Sequence, residues 1–204
     1  LSMPPRMNLS NAVQMLNRPA WLWQTLRHGI PRFANLQPYM PPGMGLSGLG
    51  RFMDSFFEKR MTRDKIAYIR DRWQGTLVLK GVSTVRDAET ARSLGLDGIV
   101  VSNHGGRQLD IGPSALEALR AIASAVGKEM VVMMDGGLRS GPDIARSMAC
   151  GAELAFLGRT FMYGAAALGS QGGEQVAALL QTQLRQVLEQ LGCTRPSDLP
   201  GFLP

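Results

Sequence analysis

Short apolar runs alternate with amphipathic stretches through the second part of the chain. Four runs rich in apolar and β-branched residues predict strands at residues 76–81, 98–102, 129–135 and 153–158. Each run is followed by a stretch with helical spacing, at residues 84–94, 113–126, 141–150 and 174–191, the last after a glycine-rich segment at residues 164–173. This alternation is typical of βα units around a parallel sheet, so it predicts an α/β fold with four such units.

Residues 1–75 show a different pattern, with prolines that interrupt any long helix. The spacing predicts helices over residues 11–29 and 62–73 and a flexible loop over residues 43–50. We therefore divide the chain into an irregular, partly helical segment of residues 1–75 and a βα region of residues 76–204. The interrupting prolines are Pro4, Pro5, Pro31, Pro38, Pro41 and Pro42.

The composition fits a folded protein. The 204 residues are 45% hydrophobic and 19% charged, which excludes a disordered chain and allows one hydrophobic core or part of a larger one. The net charge of +6 raises the question of nucleic acid, but residues 1–75 contain 11 of the 22 basic side chains and only 4 of the 16 acidic ones. Because the basic excess belongs to one segment, we expect no nucleic-acid partner.

Cysteine usage and the chain start bear on location. Cys150 and Cys193 are too few and too far apart to predict a disulfide scaffold or a zinc site, which favours a reducing cytoplasm. No apolar run approaches the ~20 residues that span a bilayer. Residues 1–5 lack the features of a secretory signal and resemble the interior of a longer polypeptide, so we expect a cytoplasmic protein with sequence missing upstream.

The predicted helix at residues 11–29 leaves two interpretations open. It carries Trp21, Trp23 and Leu26 beside Arg18 and Arg27. Such a helix can pack its aromatic side chains against its own protein, or it can lie in a membrane interface. The second interpretation predicts peripheral contact with a membrane.

Glycines and arginines follow the last two predicted strands. Gly136 and Gly137, and Gly158 after the next strand, allow main-chain N–H groups to approach a phosphate. Arg139 and Arg159 add positive charge and forked donors. Because the carboxyl ends of parallel strands meet at one edge of a sheet, these residues predict a phosphate site there.

The first two strand ends carry candidate chemistry. Lys80 closes an apolar strand and suits the stabilisation of an anion. His104 has a side chain whose pKa suits proton abstraction near neutral pH. Arg107 can hold a carboxylate through two parallel hydrogen bonds and so place a substrate beside the imidazole.

Together these motifs closely resemble those of the FMN-dependent α-hydroxy acid dehydrogenases and oxidases, the family of flavin-type L-lactate dehydrogenases, mandelate dehydrogenase and glycolate oxidase. The most specific motif is residues 102–110, Ser-Asn-His-Gly-Gly-Arg-Gln-Leu-Asp. Residues 1–5 also resemble the segment that follows the fourth barrel strand in that family. The resemblance therefore covers essentially the whole chain.

The resemblance implies an FMN cofactor and a role for each strand end. Lys80 and Ser102 would contact the flavin ring, His104 would be the catalytic base, and Arg107 would bind the carboxylate of the substrate. The ribityl phosphate would be held by Asp135, Gly136, Gly137, Leu138, Arg139, Gly158 and Arg159.

The family barrel also has an upstream half with further flavin and substrate contacts, which this chain lacks. The resemblance therefore implies the C-terminal half of a (β/α)8 barrel, strands 5–8 with their helices. A half barrel leaves two sheet edges unpaired. We expect association with the missing N-terminal half or a partner chain, and a homo-oligomer.

The expected reaction is FMN-dependent oxidation of an L-2-hydroxy acid, of the L-lactate or mandelate type, with electrons passed to a quinone, a cytochrome or oxygen. Whether His104 removes the hydroxyl proton during hydride transfer or the α-proton to give a carbanion stays open. One alternative is an isolated half-barrel that binds FMN or phosphate without turnover. Another is an IMP dehydrogenase or a flavin-dependent isomerase, although a nucleotide dehydrogenase needs a nucleophilic cysteine in a strand-end loop, where neither cysteine lies.

Overall fold

The structure is a computed structural model that describes residues 8–29, 33–41, 43–44, 46–56 and 60–202. It divides into two compact units, Leu1–Met61 and Thr62–Pro204. The boundary in charge composition at residue 75 therefore lies one helix after the boundary between the units. Residues 1–5 and the prolines Pro31 and Pro42 lie outside the described residues.

The first unit is more helical than the sequence pattern predicted. Helices α1 (Leu9–Leu16) and α2 (Pro19–His28) replace the single predicted helix, because Pro19 lacks an N–H and begins a new helix. The predicted flexible loop at residues 43–50 is wrong, since α3 covers Leu46–Phe56. Phe52 of α3 is buried and stacks on Phe56 with ring centroids 4.4 Å apart, which favours helix despite two glycines.

The second unit contains four parallel strands and six helices among its described residues. The strands are β1 (Val78–Val82), β2 (Gly98–Val101), β3 (Val131–Asp135) and β4 (Leu154–Phe156), which pair in the order β1-β2-β3-β4. The helices are α4 (Arg63–Arg72), α5 (Val85–Ser93), α6 (Ala115–Val126), α7 (Gly141–Ala149), α8 (Arg159–Leu168) and α9 (Gly172–Leu191). The prediction of an α/β fold with a parallel sheet is confirmed, and each predicted strand lies within two residues of its position.

The core explains why these strands form at the centre of the sheet. All residues of β2 are buried, and Ile99 and Val132 on neighbouring strands are fully enclosed. Helix α6 packs Leu119 and Ile122 into the same cluster. A serine before α6 and another before α7 accept hydrogen bonds from the first helical turn, which fixes where both helices begin.

Helix α8 was not predicted, because the glycine-rich segment at residues 164–173 indicated no regular element. In the structure, two of these glycines let α8 and α9 pack closely. A Cβ atom at Gly172 would lie 2.2 Å from the carbonyl oxygen of Gly164, which no side chain could tolerate. The glycines therefore serve helix packing, and only a short turn at Gly169–Gln171 separates the helices.

Two features of the sheet matter for the site. The carboxyl ends of all four strands lie along one edge, as parallel pairing requires. The outer strands expose apolar side chains, with Val78 of β1 39% exposed, and Leu154 and Phe156 of β4 54% and 50% exposed.

None of the described helices is long and apolar enough to cross a membrane.

Candidate active site

A cavity of about 350 Å³ lies at the carboxyl ends of the strands. It brings together side chains or backbone from every strand end, including nine of the predicted site residues: Lys80, His104, Arg107, Asp135, Gly136, Gly137, Leu138, Gly158 and Arg159. Phe156 and Met162 supply apolar wall. Ser102 and Arg139 are the two predicted residues that do not line this cavity.

Lys80 lies at an irregularity in the pairing of β1 with β2. The pairing register with β2 shifts between Lys80 and Val82, and Gly81 adopts a φ of +97° that favours glycine. The Lys80 ammonium lies 2.7 Å from a carboxylate oxygen of Asp135 and 3.1 Å from the hydroxyl oxygen of Ser102. The lysine side chain is half exposed, so its charge also faces the cavity.

Ser102 links three strand ends from a buried position. Its hydroxyl donates a hydrogen bond to Asp135 and accepts one from Lys80 and one from the backbone N–H of His104 at 3.0 Å. The hydroxyl thereby uses its full capacity of one donated and two accepted hydrogen bonds. Ser102 supports the site from behind in this structure, and its contact with the flavin ring stays a prediction.

His104 stands in a backbone conformation that few residues adopt. Its φ is +59°, and among the described residues it is the one non-glycine with a positive φ. Gly105 and Gly106 continue the left-handed turn. The imidazole is exposed at the mouth of the cavity, where it can meet a ligand.

Arg107 follows this turn and is also exposed. Its backbone N–H donates to the carbonyl of His104 at 3.4 Å, which keeps the two residues on one turn. No carboxylate in the described part of the chain forms an ion pair with Arg107. The guanidinium is therefore available to an acidic ligand.

A glycine-lined cradle occupies the other side of the cavity. Gly136 and Gly137 have φ values of +98° and +85°, and nothing lies within 4 Å of a Cβ atom placed at Gly137 or Gly158. Gly158 precedes α8 and, having no side chain, leaves the N–H groups of the first helical turn uncapped. Arg159 begins α8, so the cradle combines open main-chain donors with a positive charge.

Arg139 lies outside the cavity. Its guanidinium stands 5.8 Å from the centre of the Tyr163 ring, and its backbone N–H donates to Asp143 at 3.1 Å. Arg139 therefore contacts α8 without lining the cavity, and its contact with a phosphate stays a prediction.

Sequence reasoning gave no role to Asn103 or Asp143. The side-chain oxygen of Asn103 accepts the N–H of Gly105 at 3.1 Å, and a Cβ atom at Gly136 would lie 2.7 Å from that oxygen. Asn103 therefore contacts both the turn that contains His104 and the glycine cradle. No sequence signal could have shown this contact, since it joins two strand ends.

Asp143 fixes the end of the glycine turn and the start of α7. It accepts hydrogen bonds from the N–H groups of Arg139 and Ser140, both at 3.1 Å, and from the Ser140 hydroxyl at 2.8 Å. Burial alone would raise the pKa of this carboxyl, but the hydrogen bonds and nearby Arg146 together lower it below the ordinary value of 3.8. The capping pattern of a serine with an acid three residues later is the signal that could have found it.

Replacing Asp143 by alanine should lower the free energy of unfolding by about 1–2 kcal/mol at neutral pH, because the carboxylate that completes the capping box with Ser140 is lost. Since the folded pKa is lowered, the carboxylate stabilises the protein above pH 3.8. That contribution disappears as pH falls through the lowered value. Urea unfolding at pH 7 and pH 3 measures both effects.

The control for this prediction is Glu189→Ala, which removes an exposed carboxylate from the last turns of α9. It should change stability by no more than about 0.5 kcal/mol. A difference between Asp143→Ala and wild type that persisted unchanged at pH 3 would contradict the role given to the Asp143 charge.

These features define an α/β protein with a cavity at the carboxyl ends of its parallel strands, lined by basic side chains and open main-chain N–H groups. The family model for FMN-dependent dehydrogenases matches residues 1–202. The chain therefore belongs to the FMN-dependent dehydrogenase family, whose cofactor is FMN.

Individual relatives agree with this assignment. An L-lactate dehydrogenase of Caulobacter sp. strain K31 is 39% identical over 189 residues, which are 92% of this chain and 50% of that protein. The crystal structure of the monotopic membrane protein (S)-mandelate dehydrogenase superposes with a TM-score of 0.91 at 32% identity, covering 100% of this chain and 54% of that one. A mandelate oxidase variant with a monooxide FMN adduct gives a TM-score of 0.67 at 38% identity, covering 71% and 46%. The chain thus spans about half the length of the relatives it matches.

Proposed function

We propose that this chain supplies the catalytic C-terminal half of a (β/α)8 barrel that oxidises an L-2-hydroxy acid to the 2-oxo acid with FMN. The observation that carries the proposal is the single cavity shared by Lys80, His104, Arg107 and the glycine cradle. Similarity to L-lactate and mandelate dehydrogenases favours a substrate of one of these two types. Bound FMN would accept two electrons from the substrate and pass them to a second acceptor.

The residues of the cavity fit FMN. The cradle offers open space over Gly137 and Gly158, uncapped N–H groups at the start of α8, and the guanidinium of Arg159, which together suit a phosphate. The resemblance implies that Asp135 holds the phosphate, but its carboxylate would repel that group. We therefore propose instead that Asp135 pairs with Lys80, 2.7 Å away, and binds the hydroxyl groups of the ribityl chain. Leu138 is buried and contributes backbone and apolar wall.

Each exposed polar group has a distinct task in the proposed reaction. Arg107 binds the substrate carboxylate through two hydrogen bonds and so fixes the next carbon atom. His104 accepts one of the two protons that the hydroxy acid loses, from the hydroxyl or from the α-carbon. Lys80 stabilises the negative charge that the transferred electrons bring to the cavity.

The exposed edges of the sheet support the half-barrel proposal. Within the described ranges, β1 and β4 each pair with a strand on one side only, and β4 exposes Leu154 and Phe156. A closed barrel would pair both strands and cover those side chains. The relatives are about twice as long as this chain, which is the length that a complete barrel requires. We also propose that the complete barrel forms homo-oligomers.

Steady-state turnover of the complete protein tests the function. With FMN and an artificial electron acceptor, L-lactate or (S)-mandelate should yield the corresponding 2-oxo acid, and the opposite enantiomers should not. If FMN is bound and neither L-lactate nor (S)-mandelate yields product, the result would favour the alternative that the fold binds the cofactor without turnover.

Replacing Arg107 by lysine should raise the KM for the hydroxy acid by roughly 10- to 100-fold, because one prong of the carboxylate pair is lost. FMN affinity and stability should change little. Arg92→Lys is the matched control, since Arg92 pairs with Glu129 at 2.7 Å away from the strand ends. Reduced stability with an unchanged KM would instead assign Arg107 a structural role.

We also propose peripheral membrane contact by α1 and α2, at the cytoplasmic face of the inner membrane. Leu9, Val13 and Leu16 share one face of α1 and are 83%, 49% and 69% exposed. Trp21 and Trp23 of α2 are 51% and 67% exposed, so the described residues do not bury them. The similar (S)-mandelate dehydrogenase is a monotopic membrane protein.

Cosedimentation with vesicles tests the membrane proposal. Replacing Trp21 and Trp23 together by alanine should lower the vesicle-bound fraction about tenfold or more, because each indole buries apolar surface. Leu179→Ala, at an exposed apolar position of α9, should leave binding unchanged. Binding that survives the double substitution would place membrane contact elsewhere.

A further inference from the structure

The turn that carries His104 needs support from its surroundings. Three successive residues, His104, Gly105 and Gly106, have φ values of +59°, +67° and +73°. A histidine in this region of backbone conformation persists only where neighbouring groups hold it. The position of the imidazole therefore depends on the contacts of this turn.

Two of these contacts are local. The N–H of His104 donates to Ser102, and the N–H of Gly105 donates to Asn103. A hydrogen bond also reaches the turn from beyond β4, where Nη2 of Arg159 donates to the carbonyl oxygen of Gly105 at 3.3 Å. Gly105 is thus held at its own N–H by Asn103 and at its own carbonyl oxygen by Arg159.

Arg159 touches the turn closely and has donors to spare. A Cβ atom at Gly105 would lie 3.0 Å from Nη2 of Arg159, so the guanidinium rests against the bare glycine backbone. A guanidinium has five N–H donors, and no carboxylate among the described residues forms an ion pair with this one. The same side chain can therefore hold the Gly105 carbonyl and an anion in the glycine cradle.

We propose that Arg159 is a positioning residue that couples anion binding in the cradle to the order of the His104 turn. An anion on the remaining donors would restrict the guanidinium and strengthen its hold on Gly105. By linkage, an ordered turn raises the anion affinity by the same factor. The identity of the anion as the FMN phosphate rests on the proposed function, whereas the coupling is a property of this chain.

Amide hydrogen exchange with inorganic phosphate as the probe tests the coupling without any catalytic readout. In the wild-type protein, phosphate should slow exchange across residues 103–107. Arg159→Lys keeps the charge but loses the fork, so exchange there should be about tenfold faster and should not respond to phosphate. Arg92→Lys is the matched control, and its exchange should equal wild type with and without phosphate because Arg92 pairs with Glu129 away from the carboxyl ends of the strands.

Wild-type exchange in Arg159→Lys, or a phosphate response as large as in wild type, would overturn the coupling. A second measurement uses the complete protein at saturating FMN, where Arg159→Lys should lower kcat severalfold with little change in the substrate KM. If the wild-type protein oxidises no hydroxy acid while the exchange results hold, the proposed function fails and the coupling stands. If turnover is seen and exchange is unaffected by Arg159→Lys, the coupling fails alone.

Discussion

Replacing His104 by glutamine is expected to slow reduction of bound FMN by the hydroxy acid by roughly 10²- to 10⁴-fold, with FMN still bound. Glutamine has a similar reach and retains a hydrogen-bonding group, but it cannot accept a proton at neutral pH. The groups that we assign to the phosphate are the cradle glycines, the first N–H groups of α8 and Arg159, and the His104 side chain is not among them. The loss should therefore fall on the chemical step.

The backbone of His104 calls for a second variant. A φ of +59° is tolerated by asparagine better than by most residues, so His104→Asn preserves the turn while removing the base. In rapid-mixing measurements, both variants should reduce bound FMN more slowly than wild type, and by a similar factor. His28→Gln is the control, since this other histidine lies on α2 in the first unit. Unchanged flavin reduction in both His104 variants would refute the assignment of the base.

Replacing Lys80 by methionine is expected to lower the rate of FMN reduction by roughly 10²- to 10³-fold. The Lys80 ammonium is 2.7 Å from the Asp135 carboxylate, so its removal leaves a negative charge in the cavity that receives the electrons. Rapid-mixing kinetics at saturating FMN measures the effect.

A double variant separates two explanations for this loss. If Lys80 serves only to neutralise Asp135, then adding Asp135→Asn to Lys80→Met should restore the rate. If Lys80 stabilises the charge that arrives with the electrons, as we propose, the double variant should stay slow. A wild-type rate in the double variant would contradict the catalytic role of Lys80.

Much of the fold could be predicted from local pattern. The four strands and the helices between them follow apolar periodicity and capping residues such as Ser114, which act within a few residues of sequence. Helices α3 and α8 could not be predicted in the same way. Their glycines favour loops locally, and in α8 the reason for Gly164 is the approach of another helix.

In the candidate site, too, the local motifs could be predicted and the contacts between strand ends could not. The motifs at the strand ends are local, and parallel topology brings them to one edge, so the set of residues could be predicted. The ion pair of Lys80 with Asp135 and the hydrogen bond of Lys80 to Ser102 join three strand ends, next to the register shift that follows Lys80. The contact of Arg159 with Gly105 spans 54 residues of sequence. Such contacts follow from strand order and backbone conformation, which no single motif records.

The most direct test is anaerobic single turnover by the complete FMN-loaded protein. Mixing with one equivalent of L-lactate or (S)-mandelate should remove the absorbance of oxidised flavin and release one equivalent of the 2-oxo acid for one of these substrates. Unchanged flavin absorbance with both acids, while FMN stays bound at the strand ends, would contradict the assignment of Lys80, His104 and Arg107 to redox chemistry.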